Sequence, residues 1–110
     1  MHAIDDVVGG PALAQVRELR TPIPGPRSTE MLARKREAVA DGVGITLPVF
    51  VEAAGGGIVR DIDGNSLIDL GSGIAVTSVG NAHPGVVAAS AEQLGRFTHT
   101  AFTITGYEGY

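Results

Sequence analysis

The stretch Arg60-Asp-Ile-Asp-Gly-Asn-Ser-Leu-Ile-Asp-Leu-Gly-Ser-Gly-Ile-Ala-Val-Thr-Ser-Val-Gly-Asn-Ala-His-Pro84 decides the fold. It sets a hairpin turn, a glycine-flanked apolar segment and a His-Pro helix start in a fixed order. At its centre, Asp63-Gly64-Asn65 tolerates the φ values that tight turns demand, so residues 57–62 and 66–70 read as two short antiparallel strands. Just upstream, residues 49–54 are rich in β-branched and aromatic side chains and read as a third strand. Gly55-Gly56-Gly57 between them can turn with positive φ at low steric cost. In the last strand Leu67 and Asp69 alternate with Ile68 and Leu70, which predicts one polar face and one face that buries aliphatic groups.

Beyond the sheet, residues 71–80 carry glycines where a strand should not break and read as an irregular crossing segment that passes close to something. Pro84 then opens a helix expected to run to about Phe97, with Val87, Ala91 and Leu94 along one face. Residues 99–106 read as an extended, threonine-rich tail, and 107–110 as the opening turn of another helix. Upstream, Leu13, Val16 and Leu19 predict a weak helix over about 11–19 in a peripheral arm. The prolines of 21–27 make an extended linker. Ser28 reads as the N-cap of a basic helix near 29–40, with Gly42 at its C′ position. The architecture expected is α+β, a three-stranded antiparallel sheet with flanking helices.

Composition narrows the function. Twelve acidic against eight basic side chains give a net charge of −4, and the arginines are scattered, so no basic footprint for nucleic acid exists. With no cysteine, neither disulfides nor thiolate metal sites are possible, which fits a reducing, cytoplasmic setting. The acidic N-terminus lacks the basic and apolar regions of a secretion signal, and no run of 18 apolar residues spans a membrane. A chain of 110 residues holds one core at most, and 5% aromatics against 16 glycines leave that core short of bulky groups, so it needs a partner.

Individual motifs read as structural. Counted from Asp61, the EF-hand positions six and twelve fall on Ser66 and Ser72, so Asp61-Ile-Asp63-Gly64 is a hairpin turn and not a calcium loop. Neither glycine cluster opens a helix, as a phosphate-binding loop must. His83 and His99 match no metal spacing, and His83 before Pro84 reads as a helix cap. Ile74 has two readings: a core aliphatic by composition, or a branched wall that small neighbours Gly73 and Ala75 let project toward a ligand.

Taken together, Gly42-Val-Gly44 with Pro48-Val-Phe50, Asp61-Ile-Asp-Gly64 with Ile68-Asp69, Gly73-Ile-Ala-Val76, Gly80-x-x-His83-Pro84, and Thr98-His-Thr-Ala-Phe102 leading to Tyr107-Glu-Gly-Tyr110 resemble the pyridoxal-phosphate-dependent class III aminotransferases. The likeness runs from about Lys35 onward, and Gly73-Ile-Ala-Val76 and Thr98-His-Thr-Ala-Phe102 point to the 4-aminobutyrate branch. Three positions depart from the family pattern: Arg60 where an aromatic is common, Leu67 in place of Tyr, and Asn81 in place of His. The resemblance implies a fold type I enzyme, a cytoplasmic homodimer, whose amino donor is 4-aminobutyrate and whose 2-oxo acid acceptor is 2-oxoglutarate. It implies residues 1–27 as arm and linker and 28–110 as the N-terminal part, cut before the domain that binds pyridoxal phosphate. The Schiff-base lysine and the carboxylate on the pyridinium nitrogen are implied to lie past Tyr110, and Lys35 on its basic helix is rejected for that role. By the same resemblance Ile74 and Thr103 line the substrate side, and no catalytic, cofactor-binding or metal-ligating residue falls in this chain. Two alternatives stand beside this: another class III ω-aminotransferase of ornithine or diamine type, and a free-standing protein-interaction domain.

Overall fold

The computed structural model describes residues 12–109. Three strands, β1 (Val51–Gly55), β2 (Ile58–Asp61) and β3 (Ser66–Ile68), form an antiparallel sheet in the order β1-β2-β3. Helix α1 (Pro26–Ala38) precedes the sheet; a single turn, α2 (Ser72–Ala75), and helix α3 (Pro84–Arg96) follow it. The expected α+β arrangement is present, with β1 starting two residues later and ending one later than expected, and with β2 and β3 trimmed by one or two residues at their ends.

The β2–β3 hairpin is organised by two buried polar side chains. Asp61 Oδ1 accepts the backbone N–H groups of Asp63 at 3.0 Å and Asn65 at 2.8 Å, while its Oδ2 accepts Asn65 Nδ2 at 2.8 Å. Asn65, 0% exposed, turns its Oδ1 outward to accept the backbone N–H groups of Arg20 at 2.7 Å and Thr21 at 3.0 Å. Gly64 between them has φ +87°, the left-handed region that the turn requires.

The upstream arm is therefore part of the sheet assembly rather than peripheral, and the helix expected over 11–19 is absent from residues 12–19. Glu18 and Ser66 exchange both backbone hydrogen bonds, at 2.9 and 2.8 Å, adding a one-residue bridge to the free edge of β3. Gln15 does the same work at the other turn, donating to the Gly55 carbonyl at 3.0 Å and accepting the Gly57 N–H at 2.9 Å. Backbone groups that a helix would have used internally are instead committed to the sheet. Pro11 and the acidic N-terminus lie outside the described residues, as does Tyr110.

Helix α1 starts earlier than expected, with Gly25 at the N-cap and Pro26 in the first turn; Ser28 lies inside the helix. The cap comes from a distant side chain. Asp63 accepts the N–H of Arg27 at 2.8 Å and of Ser28 at 2.9 Å, satisfying two of the orphan donors of the first turn and placing a negative charge at the positive end of the helix. Gly25 is needed for this approach, because a Cβ there would lie 2.3 Å from Asp63 Cγ. The helix closes at Val39 instead of Asp41, with Lys35 and Arg36 in its last turn.

Helix α3 begins as expected: His83 Nδ1 accepts the Gly85 N–H at 3.2 Å and Pro84 occupies the first turn. The segment after it is not extended. It turns at residues 101–105, and Phe97, Tyr107 and Phe102 stack edge to face with centroids 5.3 and 5.2 Å apart.

Apolar packing is sparse. Among the described residues Ile58 is the only buried hydrophobic side chain, at 3% exposure. Ile68 and Leu70, expected to face a core, are exposed, and Leu70 is 91% so. The reason is geometric: among the described residues no helix lies over that face, since extensive contact between elements occurs only among the strands. The radius of gyration, 17.1 Å, exceeds the roughly 13 Å of a compact chain of this length.

The Asp61–Asn65 arrangement makes a direct prediction. Replacing Asn65 by Ala strands the Arg20 and Thr21 amides, so their hydrogen exchange accelerates by about 30- to 100-fold, about 2–3 kcal/mol. Exchange at Asn81, on the separate Gly56–Asn81 bridge, changes little; equal acceleration at both places would show that the arm is not held through Asn65.

Candidate functional site

The segment between β3 and α3 holds Ile74, one of the two site residues that sequence reasoning favours; the other, Thr103, lies beyond α3. Ser72, Gly73, Ile74 and Ala75 all have positive φ, at 47°, 61°, 62° and 61°, so α2 is a turn of left-handed helix. It closes with hydrogen bonds from Ile74 N to Gly71 O at 2.8 Å and from Val76 N to Ser72 O at 2.7 Å. For L-residues this hand costs about 1–2 kcal/mol each, and a β-branched residue at φ +62° is a genuine outlier. Such backbone persists only where the surroundings over-determine it.

Asp69 supplies much of that determination. Its Oδ1 accepts the Ser72 N–H at 2.8 Å, and its Oδ2 accepts Asn81 Nδ2 at 3.0 Å. Asn81 in turn exchanges two backbone hydrogen bonds with Gly56, at 3.0 and 2.8 Å, which ties the far end of the crossing segment to the β1–β2 turn. Gly80 permits this closeness: its φ is +94°, and a Cβ there would sit 3.2 Å from Gly56 Cα. The close approach expected of the glycine-rich crossing is thus to the sheet's own backbone. Asp69 and Asn81 were not singled out by sequence reasoning. The available signal was the Asp three residues before Ser72, a spacing at which a carboxylate accepts a backbone N–H, together with the departure at Asn81.

Between these two anchors Ile74 stands at the tip of the turn, 94% exposed, so the core-aliphatic reading fails for the described residues. Thr103 lies in the turn that follows α3, also exposed. A solvent-open hollow of about 590 Å³ runs along α3 past Ala89, Gln93, Leu94 and Gly109, and includes neither Ile74 nor Thr103. Lys35 lies half-buried on α1. Among the described residues no group of three His, Cys, Asp or Glu side chains could hold a metal ion, and no helix is long and apolar enough to cross a membrane. Among the described residues the arrangement positions an apolar side chain, and the Asp69 carboxylate beside the turn is taken up in holding it.

The aminotransferase class-III family model matches residues 38–110, which include the sheet, the left-handed turn, α3 and the tail. The chain belongs to the class III aminotransferases. It is 61% identical over 90% of its length to a 4-aminobutyrate aminotransferase of Mycobacterium tuberculosis, and 58% identical over the same share to that of Mycobacterium leprae. It is 45% identical over 73% of its length to a 5-aminovalerate aminotransferase of Pseudomonas aeruginosa. These matches cover 22%, 22% and 19% of the respective relatives, so the chain spans about a fifth of the length of the curated relatives it matches.

Two carboxylates of this class III segment carry a pH dependence. Asp69 is held below its ordinary value of 3.8 by the Asn81 side-chain amide, with the Ser72 N–H adding to it against partial desolvation. At Asp63 desolvation pushes upward, but the neighbouring Ser28 side chain, the N–H groups of Arg27 and Ser28 that Asp63 accepts, and the Arg27 charge together outweigh it, and the net shift is again downward. Folded-state values below the unfolded value mean that the unfolded chain binds protons more readily. The stabilising contribution is therefore complete above pH 3.8 and is lost as pH falls through the lower folded values. Acid titration followed at the Ser72 and Arg27 amides checks this: Asp69→Asn removes the transition at Ser72 and leaves that at Arg27.

Strain in the turn yields a second expectation. Ile74→Gly relieves the positive φ without loss of buried surface, and raises the stability of this chain by about 1 kcal/mol in denaturant unfolding. A loss of stability would mean that the left-handed turn is not strained.

Proposed function

We propose that this chain is the N-terminal portion of a pyridoxal-phosphate-dependent aminotransferase that moves the amino group of 4-aminobutyrate to 2-oxoglutarate, and that it transfers nothing on its own. The observation that carries the reading is the 61% identity, across nine-tenths of the chain, to a protein named 4-aminobutyrate aminotransferase. In that enzyme residues 1–27 form an arm and linker, and 28–110 precede the domain that carries the cofactor. The whole enzyme is a cytoplasmic homodimer.

The residues here do not fit the cofactor itself. Lys35, the chain's only lysine, sits on α1 between Arg34 and Arg36, with no buried carboxylate beside it to meet a pyridinium nitrogen. The Schiff-base lysine and the cofactor's other ligands accordingly belong to polypeptide outside this segment. What these residues contribute is shape. Ile74 walls the substrate's aliphatic chain, Thr103 lies on the substrate side, and together with the exposed aliphatics Leu70 and Val76 they exclude water from the site mouth and set the accepted chain length. The scarcity of buried apolar side chains supports this reading over a free-standing interaction domain, because the exposed aliphatics match a surface that further polypeptide covers.

A second reading is an ω-aminotransferase of different donor, of ornithine or diamine type, and the 45% identity to a 5-aminovalerate enzyme keeps longer donors in view. Grafting this chain in place of the matching segment of the Mycobacterium tuberculosis relative distinguishes the two. The grafted enzyme is expected to transaminate 4-aminobutyrate with kcat/KM about tenfold or more above 5-aminovalerate, ornithine or putrescine, while the 110-residue chain alone turns over none of them. Preference for ornithine or putrescine would overturn the 4-aminobutyrate assignment, and turnover by the isolated chain would overturn its dependence on the missing portion.

A further inference from the structure

We propose that Asp69 and Asn81 are positioning residues: by holding the 72–75 turn in its left-handed form they fix where Ile74 stands, and so set which ω-amino acid is accepted. The proposal rests on the reading of Ile74 as a substrate wall and adds what holds the wall.

The case is built from the backbone. Four consecutive residues, three of them not glycine, hold positive φ, and the most strained of these carries the exposed side chain. Relaxation of Ser72, Ile74 and Ala75 to the right-handed hand would reverse the turn and swing the Ile74 side chain to its other side. Apolar packing does not oppose this, because Ile74 and Val76 are both exposed. The opposition is polar and comes from both ends. Asp69 Oδ1 fixes the first N–H of the turn, at Ser72, and Asp69 Oδ2 fixes Asn81, whose backbone is locked to Gly56. One carboxylate thus joins the entry of the turn to the exit of the crossing segment. β3 places that carboxylate, since the Asp69 N–H donates to the Gly57 carbonyl at 2.9 Å. The wall is tied to the sheet through the Asp69 side chain, with Asn81 as its second anchor.

The test uses the complete grafted enzyme described above, with 4-aminobutyrate and 5-aminovalerate as paired substrates. Asp69→Ala is expected to raise KM for 4-aminobutyrate about tenfold with kcat within about threefold, and to shrink the preference over 5-aminovalerate by about tenfold. Ile74→Ala produces the same shift, and the two changes together produce no more than either alone. Asn81→Ala, which leaves the Ser72 contact in place, shifts the preference in the same direction by about threefold. Asp69→Asn sets two amide N–H groups against each other, and pairing it with Asn81→Asp restores donor to acceptor and returns the preference to within about threefold of the parent. A merely structural role for Asp69 lowers kcat on both substrates alike and leaves the preference where it was; that outcome, or an unmoved preference in both Asp69→Ala and Asn81→Ala, overturns the proposal. If the parent graft shows no preference, or Ile74→Ala leaves it unchanged, the substrate-wall reading fails instead. The crystal structure of the Asp69→Ala graft then decides the clamp separately: residues 72–75 right-handed or without order support it, and an intact left-handed turn overturns it. Should Asp69→Ala not fold, the Asn81→Ala graft and its crystal structure are read by the same criteria.

Discussion

The Asp61 carboxylate and the Asn65 amide, closed on each other inside the β2–β3 turn, are the interaction on which the rest of the structure depends. Through Asn65 they hold the arm at Arg20 and Thr21, and by shaping the turn they present Asp63 to the start of α1. With one buried aliphatic side chain among the 98 described residues there is little hydrophobic driving force to order them, so directional polar contacts take over the work of placing elements. Buried hydrogen bonds of this kind contribute modestly when made and cost much more when one partner is removed, which makes them good at specifying a single arrangement.

Three aspartates share one device. Asp61, Asp63 and Asp69 each accept two or more N–H groups, and each serves a different element: hairpin, helix and left-handed turn. Their spacing along the chain follows from the strand geometry. Asp61 and Asp63 bracket the entry to the turn, and Asp69 lies just past the last paired residue of β3, where its side chain is free to fold forward over Gly71 and Ser72. The sheet is thus a frame for three carboxylates more than a wall of a core.

What could be read in advance follows from the same distinction between local and distant partners. The Asp63-Gly64-Asn65 turn, the Gly55-Gly56-Gly57 turn and the His83-Pro84 helix start are decided within four residues, and all three were legible. The cap of α1 was not, because its acceptor lies 36 residues away from Arg27; the local rule chose Ser28, whereas Asp63 and Gly25 decide the point. The helix expected over 11–19 failed for a related reason. Leu13, Val16 and Leu19 have helical spacing, but Glu18 and Gln15 find partners on the sheet that outweigh a weak propensity. At the candidate site, the small neighbours of Ile74 suggested a projecting side chain beside the core reading, while the hand of its turn was not legible, since β-branched residues almost never take it unforced.

That unforced rarity bears on what the segment is for. A left-handed turn capped by a bare isoleucine lowers stability twice, through backbone strain and through apolar surface left in water, and neither loss is recovered among the described residues. A self-contained interaction domain has no physical reason to keep both, since glycine at position 74 would relieve the first and a polar side chain the second. The proposed function supplies such a reason: as part of a larger enzyme, the isoleucine would be covered by further polypeptide and the strain would fix its place. The clamp proposed at Asp69 and Asn81 is consistent with that reading, because rigidity at the tip matters only if something is read against it.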